Sequence, residues 1–339
     1  MKKKLFLGLL AAAAVSFTAC QKDEVISEMP QDNAIGFGTY VGRDAQTKAS
    51  VTDLTALQGS SAGFGVFAYF TGASDYASTT KPEFMYNQQV KYVTSAWDYS
   101  PLKYWPGDDQ KISFFAYAPH VSAVDAKITA LPGASVASDP TIGFTVPATV
   151  SEQIDLLYAT PVKNAITGTV AFAFNHALTR IGFKVKTART DYRVNISKIT
   201  LTGDFNTVGT LNLNTGAWSG ENEETNSDTY VLNFTDANAI NNTTGTAINA
   251  TEGYVMTIPT NFTSSSLNVS VTYTYEYEVS TGVWATPVSD TKTGTVTSNF
   301  EKGNAYTLVM TLDPMSPITF SVTSVTGWNP TDGTDVTVN

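Results

Sequence analysis

One cysteine, Cys20, and two histidines, His120 and His176, occur in 339 residues. A single thiol closes no disulfide within the chain, so stability must come from packing. Two histidines without further cysteines are too few for a tetrahedral zinc site. Charged residues amount to only 15% of the chain. Apolar residues at helical spacing are almost absent, which argues against a helical architecture. Catalytic signatures are missing too: no Gly-x-Ser-x-Gly elbow, no His-Glu-x-x-His, no P-loop and no dinucleotide fingerprint. The acidic pairs Asp108-Asp109 and Glu223-Glu224 stand in glycine- and asparagine-rich loops, and residues 329–335 lack the spacing of an EF-hand. No enzyme, cofactor or metal is expected. Basic residues are also scarce, 20 against 30 acidic, for a net charge of −10. Such a surface argues against nucleic acid and against electrostatic binding to anionic headgroups.

The first residues carry an address. Lys2, Lys3 and Lys4 form a basic segment, residues 5–15 an apolar one, and small residues lead to Cys20. About 11 apolar residues are too few to span a bilayer, which takes roughly 20. Phe17-Thr18-Ala19-Cys20 resembles a bacterial lipobox, with Phe17 in place of the more usual leucine. Residues 1–19 are thus expected to be a lipoprotein signal peptide, with Cys20 lipidated and residues 20–33 a linker. Losing the three lysines leaves 17 basic against 30 acidic groups, a net −13.

What the chain has in quantity is Thr, Asn, Ser, Gly and Tyr, a balance that favours strands and turns. The central stretch is residues 170–185. Val170, Phe172 and Phe174 alternate, a polar break covers residues 175–180, and Ile181, Phe183 and Val185 resume the alternation. Two strands flanking a compact connector mark this stretch as the seam between two β-domains, residues 34–170 and 171–339. His176 reads as a hydrogen-bonded connector residue, having no ligand partners nearby.

Upstream, Ile35, Phe37, Thr39 and Val41 alternate and are followed by Gly42-Arg43-Asp44, with Lys48 a little further on. Residues 63–70 and 111–118 are apolar on both faces and should lie centrally in a sheet. Between them lies an aromatic block, with Trp97, Tyr99, Tyr104 and Trp105, assigned to core packing over a sugar platform. Downstream, residues 267–278 alternate Leu, Val and Tyr with Asn, Ser, Thr and Glu, so Glu276 and Glu278 belong to a wet face. Ile318, Phe320 and Val322 alternate near the end. Strands at this spacing indicate an all-β fold of β-sandwiches.

Several of these segments together resemble the fimbrillin family, the pilin subunits of type V pili in Bacteroidetes-type bacteria. They are Trp97-Asp98-Tyr99-x-Pro101-x-x-Tyr104-Trp105-Pro106, Phe114-Phe115-Ala116-Tyr117-Ala118-Pro119 and Asp155-Leu156-Leu157. Phe174-x-His176-Ala177-Leu178-x-Arg180, Gly303-Asn304-Ala305-Tyr306-Thr307 and Val325-x-x-Trp328 follow in order. Gln21-Lys22-Asp23-Glu24 resembles the surface-export signal of lipoproteins in the same bacteria. The resemblance implies two tandem transthyretin-like Greek-key β-sandwiches and a subunit of a cell-surface fimbria, exported as an outer-membrane lipoprotein and serving adhesion. It further implies that a trypsin-type protease, cutting at Arg43 or Lys48, removes the strand of Ile35, Phe37, Thr39 and Val41. A tail with Ile318, Phe320 and Val322 then serves as donor to the next subunit. Partners would be other fimbrial subunits and a host or glycan ligand. The alternatives are a fimbrial tip adhesin or anchor subunit, or a surface glycan-binding lipoprotein.

Overall fold

The structure, a computed structural model, describes residues 33–41, 53–221, 228–235, 239–326 and 328. Apart from one short helix, Leu54–Gly59, and a 3-10 turn at Val150–Glu152, its regular elements are strands. Asp53 caps the helix, accepting a hydrogen bond from Ala56 N at 2.6 Å. Among the described residues no helix is long and apolar enough to cross a membrane.

An eight-stranded sheet opens with Gly36–Val41, then Thr169–His176, Leu157–Ala159 and Lys111–Ala118. It continues through Phe64–Gly72, Met85–Val93 and Ala96–Asp98, with Val162–Ala165 pairing beside Lys111–Ala118. A five-stranded sheet joins Thr246–Ile248, Thr179–Thr187, Asn304–Leu312 and Thr319–Thr326, with Val255–Thr257 also on Thr179–Thr187. A second five-stranded sheet is built on Tyr192–Gly203 and Leu267–Ser280. A four-stranded sheet pairs Ile128–Ala130 and Thr141–Thr145, from upstream of residue 170, with Val208–Asn212 and Trp218–Ser219 from downstream.

The doubly apolar strands explain how the layers stack. Successive side chains of a strand point to opposite faces, so Phe64–Gly72 sends Phe64, Val66 and Ala68 into one core and Phe67 and Tyr69 into another. Lys111–Ala118 divides Phe114 and Ala116 from Phe115 and Tyr117 in the same way. The smaller core holds the aromatic block, with Tyr99 and Trp105 buried and Trp97 half-buried against it. The larger core runs from Phe67 to Trp328. An all-β chain with a core on each side of its central strands is the sandwich architecture expected from the alternation.

At the seam, Thr169–His176 belongs to the eight-stranded sheet and Thr179–Thr187 to the five-stranded one. The connector is only Ala177 and Leu178, shorter than the polar break suggests, because His176 and Arg180 are strand residues. It is pinned on three sides. Ala177 N donates to Leu156 O at 2.8 Å, Trp218 Nε1 donates to Ala177 O at 2.8 Å, and Gly303 N donates to Leu178 O at 2.9 Å.

One sequence expectation is corrected. Glu276 is buried rather than on a wet face. The hairpin strand Val283–Trp284 folds back on Leu267–Ser280, and the Arg193 guanidinium lies over the Trp284 ring while its Nε pairs with Glu276. A buried carboxylate needs such a partner. Alternation alone does not show that a charge will find one.

Candidate functional site: the first and last strands

The first strand, Gly36–Val41, ends its sheet and runs parallel to Thr169–His176, with Phe37 opposite Val170 and Thr39 opposite Phe172. Its inward side chains fill an aromatic groove. The Phe37 ring stacks on Phe172 at 5.8 Å, and the rings of Tyr99 (5.1 Å), Phe64 (6.2 Å) and Phe114 (6.2 Å) stand edge-on around it. Ile35 is likewise buried, and each such side chain contributes about 1.5–3 kcal/mol of burial. The segment after Ala96–Asp98 closes over the strand's start. Ile35 N donates to Lys103 O at 2.9 Å, and the Tyr99 hydroxyl donates to Ile35 O at 2.8 Å. Burial pushes the Tyr99 hydroxyl pKa up, keeping it a donor. Trp105 seals the floor, its indole N–H reaching Gly168 O at 3.1 Å.

Gly36 and Gly38 alternate with these inward residues. Thr39 faces the groove too, yet its Oγ1 is buried with no hydrogen-bond partner among the described residues. The Val41 backbone pairs with Phe174.

The last strand, Thr319–Thr326, is antiparallel to Asn304–Leu312, with Phe320 opposite Met310 and Val322 opposite Leu308. Ile318 and Val322 are buried and Phe320 half-buried, all against the larger core. Gly294 permits this approach, because a Cβ there would lie 2.6 Å from the Phe320 ring. Just beyond, the Trp328 ring lies parallel to His176 at 4.0 Å. The Arg180 guanidinium lies over Trp328 and Tyr254, with Nη2 donating to Trp328 O at 3.3 Å. His176 in turn donates from Nδ1 to Asp155, 2.9 Å to Oδ2 and 3.1 Å to Oδ1. Burial holds the Arg180 pKa below its ordinary value, against the raising influence of Tyr254 and Asp155. This clamp is built from residues whose spacing the sequence shows but whose meeting it does not.

The two sets of strand residues are not brought together in one chain, since the first strand and the last belong to different sheets. Cys20, Arg43 and Lys48 lie outside the described residues. The groove rings Phe64, Tyr99, Phe114 and Phe172 were legible one by one as core or alternating strand residues, but nothing in the sequence showed that they meet around Phe37. Among the described residues no group of His, Cys, Asp and Glu is arranged to hold a metal.

Comparison with known proteins fits this geometry. The chain is 37% identical over 197 residues to the fimbrium subunit Fim1C of Phocaeicola vulgatus ATCC 8482, a match spanning 52% of this chain and 50% of that relative. The chain thus covers about half the length of this curated relative. The crystal structure of a fimbrial protein from Bacteroides vulgatus ATCC 8482 superposes with a TM-score of 0.73 at 26% identity, covering 87% of this chain and 99% of that one. A solved structure from Bacteroides uniformis ATCC 8492 shares the fold, with a TM-score of 0.51 at 15% identity over 88% of this chain and all of that one. The profile of the family described as fimbrillin-like matches residues 47–328. With most of its length inside that match, the chain belongs to the fimbrillin-like family.

Proposed function

We propose that this chain is a structural subunit of a cell-surface fimbria, assembled by strand exchange with other fimbrial subunits and serving adhesion. It is exported as a lipoprotein, anchored through Cys20 in the outer membrane, and cut at Arg43 or Lys48 to release Ile35–Val41. The sheet that runs from Gly36–Val41 through Thr169–His176 provides the accepting groove and the chain downstream of it the donor, with Ile318, Phe320 and Val322 entering the next subunit. The observation that carries this proposal is the first strand itself. Among the described residues it pairs with a single strand at a sheet end, yet its side chains fill an aromatic groove. Its departure leaves unpaired backbone groups and an apolar trough together, a surface that strand addition repairs. In donating, Thr319–Thr326 must unpair from Asn304–Leu312, so exchange is favourable only once a groove is vacant. A glycan platform lacks comparable support, because Trp105 is buried and Trp97 packs against the smaller core.

The test is trypsin treatment of purified monomer followed by light scattering. Wild type should grow into long species, Arg43→Ala with Lys48→Ala should stay monomeric, and a chain ending before Ile318 should be cut without growing. Growth of that truncated chain at the wild-type rate would show that the tail is not the donor.

A further inference from the structure

Set beside each other, the resident strand and the proposed donor carry nearly the same inward side chains. Residues 35–39 read Ile-Gly-Phe-Gly-Thr, and residues 318–322 read Ile-Thr-Phe-Ser-Val. Alternation sets three residues of each segment on one face: Ile35 and Phe37 are buried and Thr39 half-buried in one, Ile318 and Val322 buried and Phe320 half-buried in the other. We infer that exchange runs in one register, with Ile318, Phe320 and Val322 of a second copy of this chain taking the seats of Ile35, Phe37 and Thr39. We infer also that the Thr39 hydroxyl, without a partner among the described residues, biases the groove toward that newcomer. The inference rests on the strand-exchange proposal above and adds to it the pairing of seats and the reason the donor is preferred.

Three observations carry it. The Phe37 seat is a ring cage of Phe172, Tyr99, Phe64 and Phe114 at 5.1–6.2 Å, which a phenylalanine two residues after an isoleucine can refill. A slip of one residue turns every side chain to the other face, and a slip of two sets Phe320 in the place of Ile35 or Thr39. In the Thr39 seat, the Oγ1 is shut off from solvent and has no hydrogen-bond partner among the described residues. Valine has nearly the shape of threonine without the hydroxyl, so Val322 fills the seat without leaving a polar atom unmet. On the outward face the resident strand has Gly36 and Gly38, which hold a strand poorly. A Cβ on Gly36 would meet Thr169 at 3.9 Å, and one on Gly38 would meet Thr169 at 3.7 Å and Ala171 Cα at 4.0 Å, ordinary contact distances that leave room for Thr319 and Ser321. The resident strand is a weaker occupant than its replacement at the Thr39 seat and at both glycines.

Full-length chain cut by trypsin, held dilute enough to stay monomeric, provides the test. A fluorescent peptide of residues 316–324 is titrated against it by anisotropy, beside two variants. One carries Val322→Thr; the other carries Phe320→Val together with Val322→Phe, which keeps the composition and moves the ring by two residues. The wild-type peptide should bind, Val322→Thr should bind about 5–100-fold more weakly, as an unmet buried hydroxyl implies, and the swapped peptide at least about tenfold more weakly. In the chain, Thr39→Val should slow peptide entry after cleavage, because the resident strand then lacks the unmet hydroxyl. Equal affinity of the swapped peptide overturns the register, and equal affinity of Val322→Thr overturns the bias. Binding by none of the three, wild type included, overturns the strand-exchange proposal itself.

Discussion

A tryptophan stacked on an imidazole and covered by a guanidinium holds the chain at Trp328, just beyond the last strand. The clamp is strong in area yet imperfect in polar pairing. Trp328 Nε1 and Arg180 Nη1 are both buried without partners among the described residues. Both regain water on release, so part of the packing loss is offset. Trp328→Ala should therefore cost about 3–5 kcal/mol, and Trp328→Phe distinctly less, since it keeps a stacked ring and removes one unmet donor. Hydrogen exchange should show residues 319–326 losing protection in Trp328→Ala while Gly36–Val41 keeps its own. Uniform loss across both strands would mean that Trp328 supports the whole fold instead of the tail. His120 gives a separate residue-scale expectation. Burial lowers its pKa from 6.5, the Lys91 charge lowers it further, and the hydrogen bond to Asn87 O only partly opposes this. The folded chain then binds fewer protons than the unfolded one just below pH 6.5. Stability should be complete above that pH and fall as acid is added. His120→Gln should remove part of the decline in melting temperature between about pH 7 and 5; identical profiles would sink this.

At the scale of elements, the aromatic block is where burial separates two residues that the sequence treats alike. Trp105 is 5% exposed, with its indole N–H bonded to Gly168 O, whereas Trp97 is half-buried at the edge strand Ala96–Asp98. Trp105→Ala should cost about 3–5 kcal/mol and Trp97→Ala less, with thermal denaturation ranking the two; the reverse order would refute this account of the smaller core. Period-two alternation made most strands legible, including the two strands of the seam and the doubly apolar Phe64–Gly72. It could not show that Thr141–Thr145 crosses to Val208–Asn212, because pairing partners depend on which sheet edges meet, not on local pattern. Nor could it show Glu276 buried beside Arg193, since a charge looks the same in sequence whether water or a guanidinium faces it. The first and last strands were readable as alternating segments, but the ring cage around Phe37 and the Trp328 clamp required the fold to bring distant residues together.

For the whole molecule, what matters is that the first and last strands, the proposed acceptor seat and donor, occupy different sheets of one chain. A contact between unlike surfaces is head-to-tail, and unless its rotation closes a ring it propagates into a filament. Such growth needs both functions in every subunit, so a chain that keeps one and lacks the other ends the polymer. The double variant Arg43→Ala with Lys48→Ala is such a chain under the proposed mechanism. It retains Ile318, Phe320 and Val322 as donor, while its own groove stays filled by Ile35 and Phe37. Added to trypsin-cut wild type, it should donate into the open groove at a filament end and offer no groove in return. Mean length, read by light scattering or electron microscopy, should fall as its share rises, reaching only a few subunits near equal amounts. The same share of a chain with Val279→Ala, an exposed residue outside groove and tail, should shorten nothing. If the uncleavable chain leaves filament length unchanged at every ratio, the groove vacated by the first strand is not where the next subunit enters.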